Sequence, residues 1–289
     1  MVAVAFFAVG LVSGLVCWRA MAPIWALPFL ARQNFRGRDL STAAGLAAVV
    51  AVIGAEGAIT VVDALGLDLP AGSVEARRLA VLAVVGFGFL GFLDDLGGVG
   101  QSGGFRGHLC ALARGELTTG AIKLFGGAAL SIVVVAIGSY ARNVPQLIAD
   151  AALVALSANL ANLLDRAPGR VLKGGAVVFA VLAVGTGLGN ELAGTALAVG
   201  ALLALLVPDL RERAMIGDVG ANALGAVLGV GVVVTCSPEV RVVVLVVVAA
   251  LNVLSEIVSF SKVIDRTAPL RFLDRAGREP PDEVPPALR

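Results

Sequence analysis

Apolar residues recur along this chain in long unbroken blocks rather than in alternation. Nine blocks, at about 2–18, 43–63, 79–93, 119–139, 146–164, 174–188, 192–208, 217–235 and 241–261, take up most of its length. About 20 apolar residues carry an α-helix across a bilayer, and shorter blocks suffice where a bundle is thin or tilted. A membrane β-barrel would alternate over segments of about ten residues, a pattern not found in this sequence. The pattern predicts an all-α, polytopic membrane helix bundle of nine spans. It reads as a single transmembrane domain over 1–261 followed by a basic, Pro-rich tail over 262–289. The end of that tail, EPPDEVPPALR, has the composition of a disordered segment.

Composition narrows the class further. Of 289 residues, 58% are hydrophobic and only 15% charged, with a mean hydropathy of +0.93; a soluble domain carries roughly 25% charged residues. The net charge of +1 gives no overall field that would draw nucleic acid. Cys17, Cys110 and Cys236 are odd in number and far apart, which suits neither a disulfide framework nor a zinc site. The opening MVAVAFFAVGLVSGLVCWRA lacks a basic n-region, so it reads as a first span rather than a cleaved signal.

The basic residues sort by side. Of the 22 Lys and Arg, only Arg77, Arg78, Arg142 and Arg241 fall in the even-to-odd loops, and Lys123 falls inside a span. All the others lie in the odd-to-even loops or the tail. The positive-inside rule then puts the N-terminus outside and the tail in the cytoplasm of a cell-membrane protein. A slip of one span would destroy this sorting.

Unusual polar residues gather on that cytoplasmic side. GFLDDLGG closes the third span with Asp94 and Asp95. A helix C-terminus carries partial negative charge, so two carboxylates there call for a positive partner. SANLANLLDRAPGR closes the fifth span, with Asn159, Asn162 and Asp165 spaced by three and Arg170 just beyond. Such a polar stripe is costly at membrane depth unless it finds partners; interhelical hydrogen bonding is the plain alternative to a site. RAMIGDVGANALG opens the eighth span with Asp218 between Gly217 and Gly220 and with Asn222 one turn on. Here the dipole favours the acid, so a simple helix-terminal role competes with metal ligation. Gly225 and Gly229 suit close helix packing. Lys123 lies one turn into the fourth span, either snorkelling to the interface or facing an anion such as a phosphate together with the free N–H groups. The lone His108 and the Gly-rich GGVGQSGG carry little signal, the latter lacking the GK[ST] of a P-loop. Glu56 is the strongest mid-span acid, and the tail arginines suit anionic headgroups or a diphosphate.

FLDD, the lysine of TTGAIKL, NLANLLD and MIGDVGANALG, in this order and on one side of the membrane, resemble the polyprenyl-phosphate N-acetylhexosamine-1-phosphate transferase superfamily (glycosyl transferase family 4). QNFRGRDLSTAAG resembles the family's loop before the second span more loosely. The matches run from about residue 23 to 262. The resemblance implies transfer of a sugar-1-phosphate from a UDP-sugar to a polyprenyl phosphate at the cytoplasmic membrane face. UMP is released, Mg²⁺ or Mn²⁺ is required, and the product feeds cell-envelope glycan synthesis such as that of peptidoglycan. It further implies catalytic roles for Asp94, Asp95 and Asp218, with Asp218 and Asp95 as metal ligands. Lys123, Asn159, Asn162, Asp165, Asn222 and Arg170 would be substrate-binding, and a homodimer is implied by analogy. Three departures stand out. The loop acid of Asp-Gly-x-Asp-Gly is absent from Asp165-Arg166-Ala167-Pro168-Gly169, Ala221 replaces the serine after Gly-Asp-x-Gly, and no histidine cluster exists. Two other readings compete: a lipid or solute transporter, and a catalytically inactive homologue acting as a scaffold.

Overall fold

Long helices form where the apolar blocks lie, because a helix satisfies every backbone N–H and C=O within its own segment. The computed structural model describes residues 1–34, 36–67, 72–97 and 119–279. Its long helices are α1 (Val2–Ala20), α2 (Gly45–Ala64), α3 (Val74–Gly97), α4 (Thr119–Ile137), α5 (Val144–Leu164), α6 (Arg170–Gly185), α7 (Ala193–Leu203), α8 (Gly217–Thr235) and α9 (Pro238–Ile257). Flanking turns extend α7 to the segment Asn190–Leu210. Among the described residues, eight of these segments are long and apolar enough to cross a membrane, the build of a multi-pass membrane protein. The other is α6. Its 16 residues reach about 24 Å at 1.5 Å per residue, less than the roughly 30 Å hydrocarbon core of a bilayer.

Successive helices run in alternate directions between two ends. At one end Gly45 packs on Gly220, Gly91 on the backbone of Asp218, and Gly169 on Leu210. At the other, Glu56 meets Arg77, Arg241 meets Asp150, and Gly72 lies beside Val2 and Ala193. α6 shares this pattern: Gly175 abuts Leu224, and Leu182 abuts Gly231 near the far end of α8.

The centre of the bundle is α8, with 94% of its most apolar 18-residue stretch buried, backed by Asn190–Leu210 with 78%, whereas α9 at the rim has only 17%. Lipid tails are as apolar as leucine, so helices in a bilayer associate through close packing rather than a hydrophobic drive. The sequence supplies small residues for this. Gly225 and Gly229 of α8 let α5 approach at Val154, Ser157 and Ala158. Gly10 and Gly14 of α1 interlock with Leu197 and Ala201 of α7, whose Gly200 in turn abuts Phe7 and Leu11. The outward faces of α6 and α9 expose Val177, Val181, Val184, Val243, Val246 and Ile257. A stripe of that size is foreign to a soluble surface and is what lipid requires.

Two soluble pieces are more ordered than their sequence suggests. Within 19–42, strands β1 (Ala31–Gln33) and β2 (Asp39–Ser41) form an antiparallel hairpin, the one departure from an all-helical chain among the described residues. Asn34 and Arg36 tie it to Glu212 at 2.7 and 3.1 Å. After α9 the chain forms two short helices, α10 (Phe260–Arg266) and α11 (Ala268–Arg275). The disordered stretch expected in the tail, apart from Glu279, lies outside the described residues.

Candidate functional site

Gly91 sets the geometry. A side chain there would collide with the backbone of Asp218 and Val219, so glycine lets α3 lie directly against the start of α8. One turn later Asp95 reaches the first N–H groups of α8. Its Oδ1 accepts from Asp218 N at 3.2 Å and from Thr42 Oγ1 at 3.1 Å, and its Oδ2 accepts from Val219 N at 3.2 Å. Helix starts leave such N–H groups unpaired and carry partial positive charge, so a carboxylate from a neighbouring helix serves as the cap. Gly217 makes room for it: φ is +65° there, and a Cβ would press on Thr42 and Asp95 Oδ2.

Asp94 projects to the other side of α3 and meets Lys123 Nζ at 3.2 Å. The same Nζ is paired with Asp218 Oδ2. Asn162 completes the group: with its amide oriented to satisfy both neighbours, Nδ2 donates to Asp218 Oδ1 at 2.7 Å and Oδ1 accepts from Lys123 Nζ at 2.9 Å. Four residues from α3, α4, α5 and α8 thus converge. Their side chains are not sealed: Asp94 and Asp218 keep 24% and 28% exposure and Lys123 17%.

The positive partner that the end of α3 calls for is present twice. Lys123 faces the Asp94 side chain, and Arg32 of the hairpin donates to the carbonyls of Asp95 and Leu96 at 3.2 and 3.4 Å. A cation at a helix C-terminus is favourable on both counts. Arg32 and Thr42 are the site-forming residues that sequence reasoning missed; they sit in the loosely matching loop before the second span, whose hairpin carries no apolar periodicity.

Of the remaining expected site residues, Asn159 and Arg170 are engaged elsewhere. Asn159 donates to Asn252 Oδ1 at 2.7 Å, a bond between α5 and α9 that uses its polarity for packing. Arg170 is held by Asp274 at 2.8 and 3.1 Å and by Ser261 at 2.8 Å, which commits it to the tail. Asn222 is buried on α8, and its Nδ2 has no partner among the described residues. It is one turn from Asp218 and three residues before Gly225, on the side of α8 that meets α5. Asp165 ends α5 beside a cleft of about 220 Å³ lined by Gln33, Asn34, Arg166, Asp209 and Met215. Burial pushes its carboxyl well above the ordinary range, and the charges of Asp209, Asp218 and Asp95 push the same way. His108, Cys110 and most of GGVGQSGG lie outside the described residues.

Among the described residues, no group of three or more His, Cys, Asp and Glu is arranged to hold a metal ion. The carboxylate oxygens of Asp94 and Asp218 are hard donors of the kind Mg²⁺ takes, and Mg²⁺ commonly uses one or two carboxylates together with substrate phosphates and waters. Glu56, the mid-span acid, is paired. Arg77 Nε lies 3.1 Å from both of its carboxylate oxygens. Neither a known protein family nor any curated protein matches this chain in comparison.

Proposed function

We propose that this chain transfers a sugar-1-phosphate, of the N-acetylhexosamine class, from a UDP-sugar to a polyprenyl phosphate, releasing UMP. The observation that carries this reading is the Asp94–Lys123–Asp218–Asn162 cluster, drawn from four helices and open at one end of the bundle. Each of its members was singled out by the pattern of an aspartate pair, a lysine, Asn-x-x-Asn-x-x-Asp and Gly-Asp-x-Gly. Nine passes with the N-terminus outside put this end in the cytoplasm, where UDP-sugars are. The alternating helix directions support that count, and the sorting of the basic residues, which leaves only Arg77, Arg78, Arg142 and Arg241 of 22 in the even-to-odd loops, supports the orientation.

In the reaction an oxygen of the lipid phosphate attacks the sugar-bearing phosphorus of the donor. The new P–O bond forms as the bond to the bridging oxygen breaks, and its electron pair leaves with UMP. Lys123 pairs with the diphosphate as charge shifts to the leaving group. Asp94, on the open side of the cluster, takes the proton of the lipid phosphate where one is present. Asn162 fixes the directions of Lys123 and Asp218 at once. Asp95, whose oxygens are committed to Thr42 and to the start of α8, is a positioning residue that holds Asp218 in place. Asp218, together with substrate phosphates and waters, would hold Mg²⁺, which would neutralise the diphosphate.

The test is release of UMP by purified protein given polyprenyl phosphate, Mg²⁺ and a panel of UDP-sugars. Lipid-dependent UMP with one donor is the expected result. No UMP with any donor, from folded protein, would support the scaffold reading.

A further inference from the structure

We infer that the hairpin of α10 and α11 is an interfacial clamp that binds the anionic headgroups of the surrounding bilayer at the site end of the bundle. The inference rests on placement, not on the proposed reaction. α10 follows α9 after a short break, so it begins where a span ends. α11 is held to the body from one side. Asp274, buried, takes the Arg170 guanidinium, and Lys173 Nζ donates to the carbonyls of Leu273, Asp274 and Ala276 at 2.8, 2.6 and 3.1 Å.

Arg170 and Lys173 lie on the same stripe of α6 as Val177, Val181 and Val184, by helical spacing. Those valines are 65%, 69% and 84% exposed and face lipid in any membrane orientation of the bundle. Lys173 is four residues from Val177, about 6 Å along the axis. The tail therefore hangs over the lipid-facing side of the bundle, one turn above its apolar surface. That depth is the headgroup region.

The outer face of the hairpin matches it chemically. Phe272 and Leu273 are 75% and 62% exposed, and Leu270 beside them is exposed as well. Lys262, Arg266, Arg271 and Arg275 are all exposed on the same two helices. Among the described acids here, Asp274 is taken up inside and Asp265 lies 3.5 Å from Arg275. Apolar side chains flanked by cations, on short helices that follow the last span, are what an anionic interface binds.

Hydrogen exchange of residues 260–279 tests this in the full-length protein, one copy per nanodisc, with phosphatidylcholine alone or mixed with phosphatidylglycerol. Anionic lipid should slow exchange in α10 and α11 about fivefold or more, with the gain reversed by high salt. The double variant Arg271→Gln/Arg275→Gln should exchange like wild type in phosphatidylcholine and lose the response to phosphatidylglycerol; Phe272→Ser should weaken it. Equal exchange in both lipids, or an undiminished response in the double variant, overturns the inference. So does protection that rises with protein concentration in detergent, which would make a second copy the occupant.

Discussion

The two ends of the bundle handle charge in opposite ways. At the far end each buried cation has its acids. Arg77, 1% exposed, is held by Glu56 and Asp63 and lies over the Phe6 ring, and Arg241 binds Asp150 at 3.0 Å and the carbonyls of Tyr140 and Cys236. At the site end Asp94 and Asp218 share Lys123, the one cation in their cluster among the described residues, and its members keep an open side. The far end uses charge to fix helices α2, α3, α5 and α9 in register. The near end keeps an excess of oxygen donors on its open side, an arrangement that costs stability and has value where a cation arrives. Buried pairs that are complete make weak claims to function; incomplete, accessible ones invite it.

Substitutions at each end should therefore separate activity from stability. Asp218→Asn carries the largest expected effect. It keeps the shape and the Asn162 contact but removes a charge, and turnover should fall about 10³-fold, near 4 kcal/mol of barrier, with a melting temperature close to wild type. Arg77→Met should do the reverse. It strands Glu56 and Asp63, and the penalty is about 3 kcal/mol, at the low end for a broken buried pair because both acids keep some exposure. Thermal unfolding should show the loss, while turnover per folded molecule stays within about twofold.

Asp95→Asn lies between the two. An amide can accept one of the N–H bonds at the start of α8 but not carry the charge that favours that end, so it should cost about 1–2 kcal/mol of stability. Its turnover should fall less than that of Asp218→Asn. Equal losses in both would make Asp95 a direct participant.

The smallest effect is a pH slope. The Asp165 carboxyl is raised in the folded state, so the folded protein holds its proton over a range where the unfolded chain has lost it. Stability from this group is fully present below the ordinary carboxylate range and is lost as pH rises through the higher folded value. The melting temperature of wild type should decline across that window more than that of Asp165→Asn, measured side by side by intrinsic fluorescence.

Much of the site was legible because membrane burial makes polar residues conspicuous. Asp94, Lys123, Asn162 and Asp218 each interrupt apolar sequence, and each ends in the cluster. The same logic does not foresee that Asn159 and Arg170 bind outside that cluster. Their partners, Asn252 and Asp274, lie 93 and 104 residues away, and no local spacing announces them. Asp95 reads like its neighbour in sequence, yet a 100° step around the helix sends the two side chains to different tasks. The far-end pairs were hidden for a related reason: the hydropathy reads Arg77 into a short loop and Glu56 into a span, whereas Arg77 lies in the first turn of α3 and the antiparallel packing of α2 and α3 joins the two. α6 began four residues earlier than its apolar block because Gly169, with a φ of +70°, starts the helix at Arg170.

The most direct test of the account runs both ends in one assay. UMP release would be measured for wild type, Arg77→Met and Asp218→Asn with polyprenyl phosphate, Mg²⁺ and the UDP-sugar that proves active, each normalised to folded protein. The account predicts lipid-dependent UMP from wild type and Arg77→Met and almost none from Asp218→Asn. Undiminished release by Asp218→Asn, or its loss in folded Arg77→Met, would contradict it.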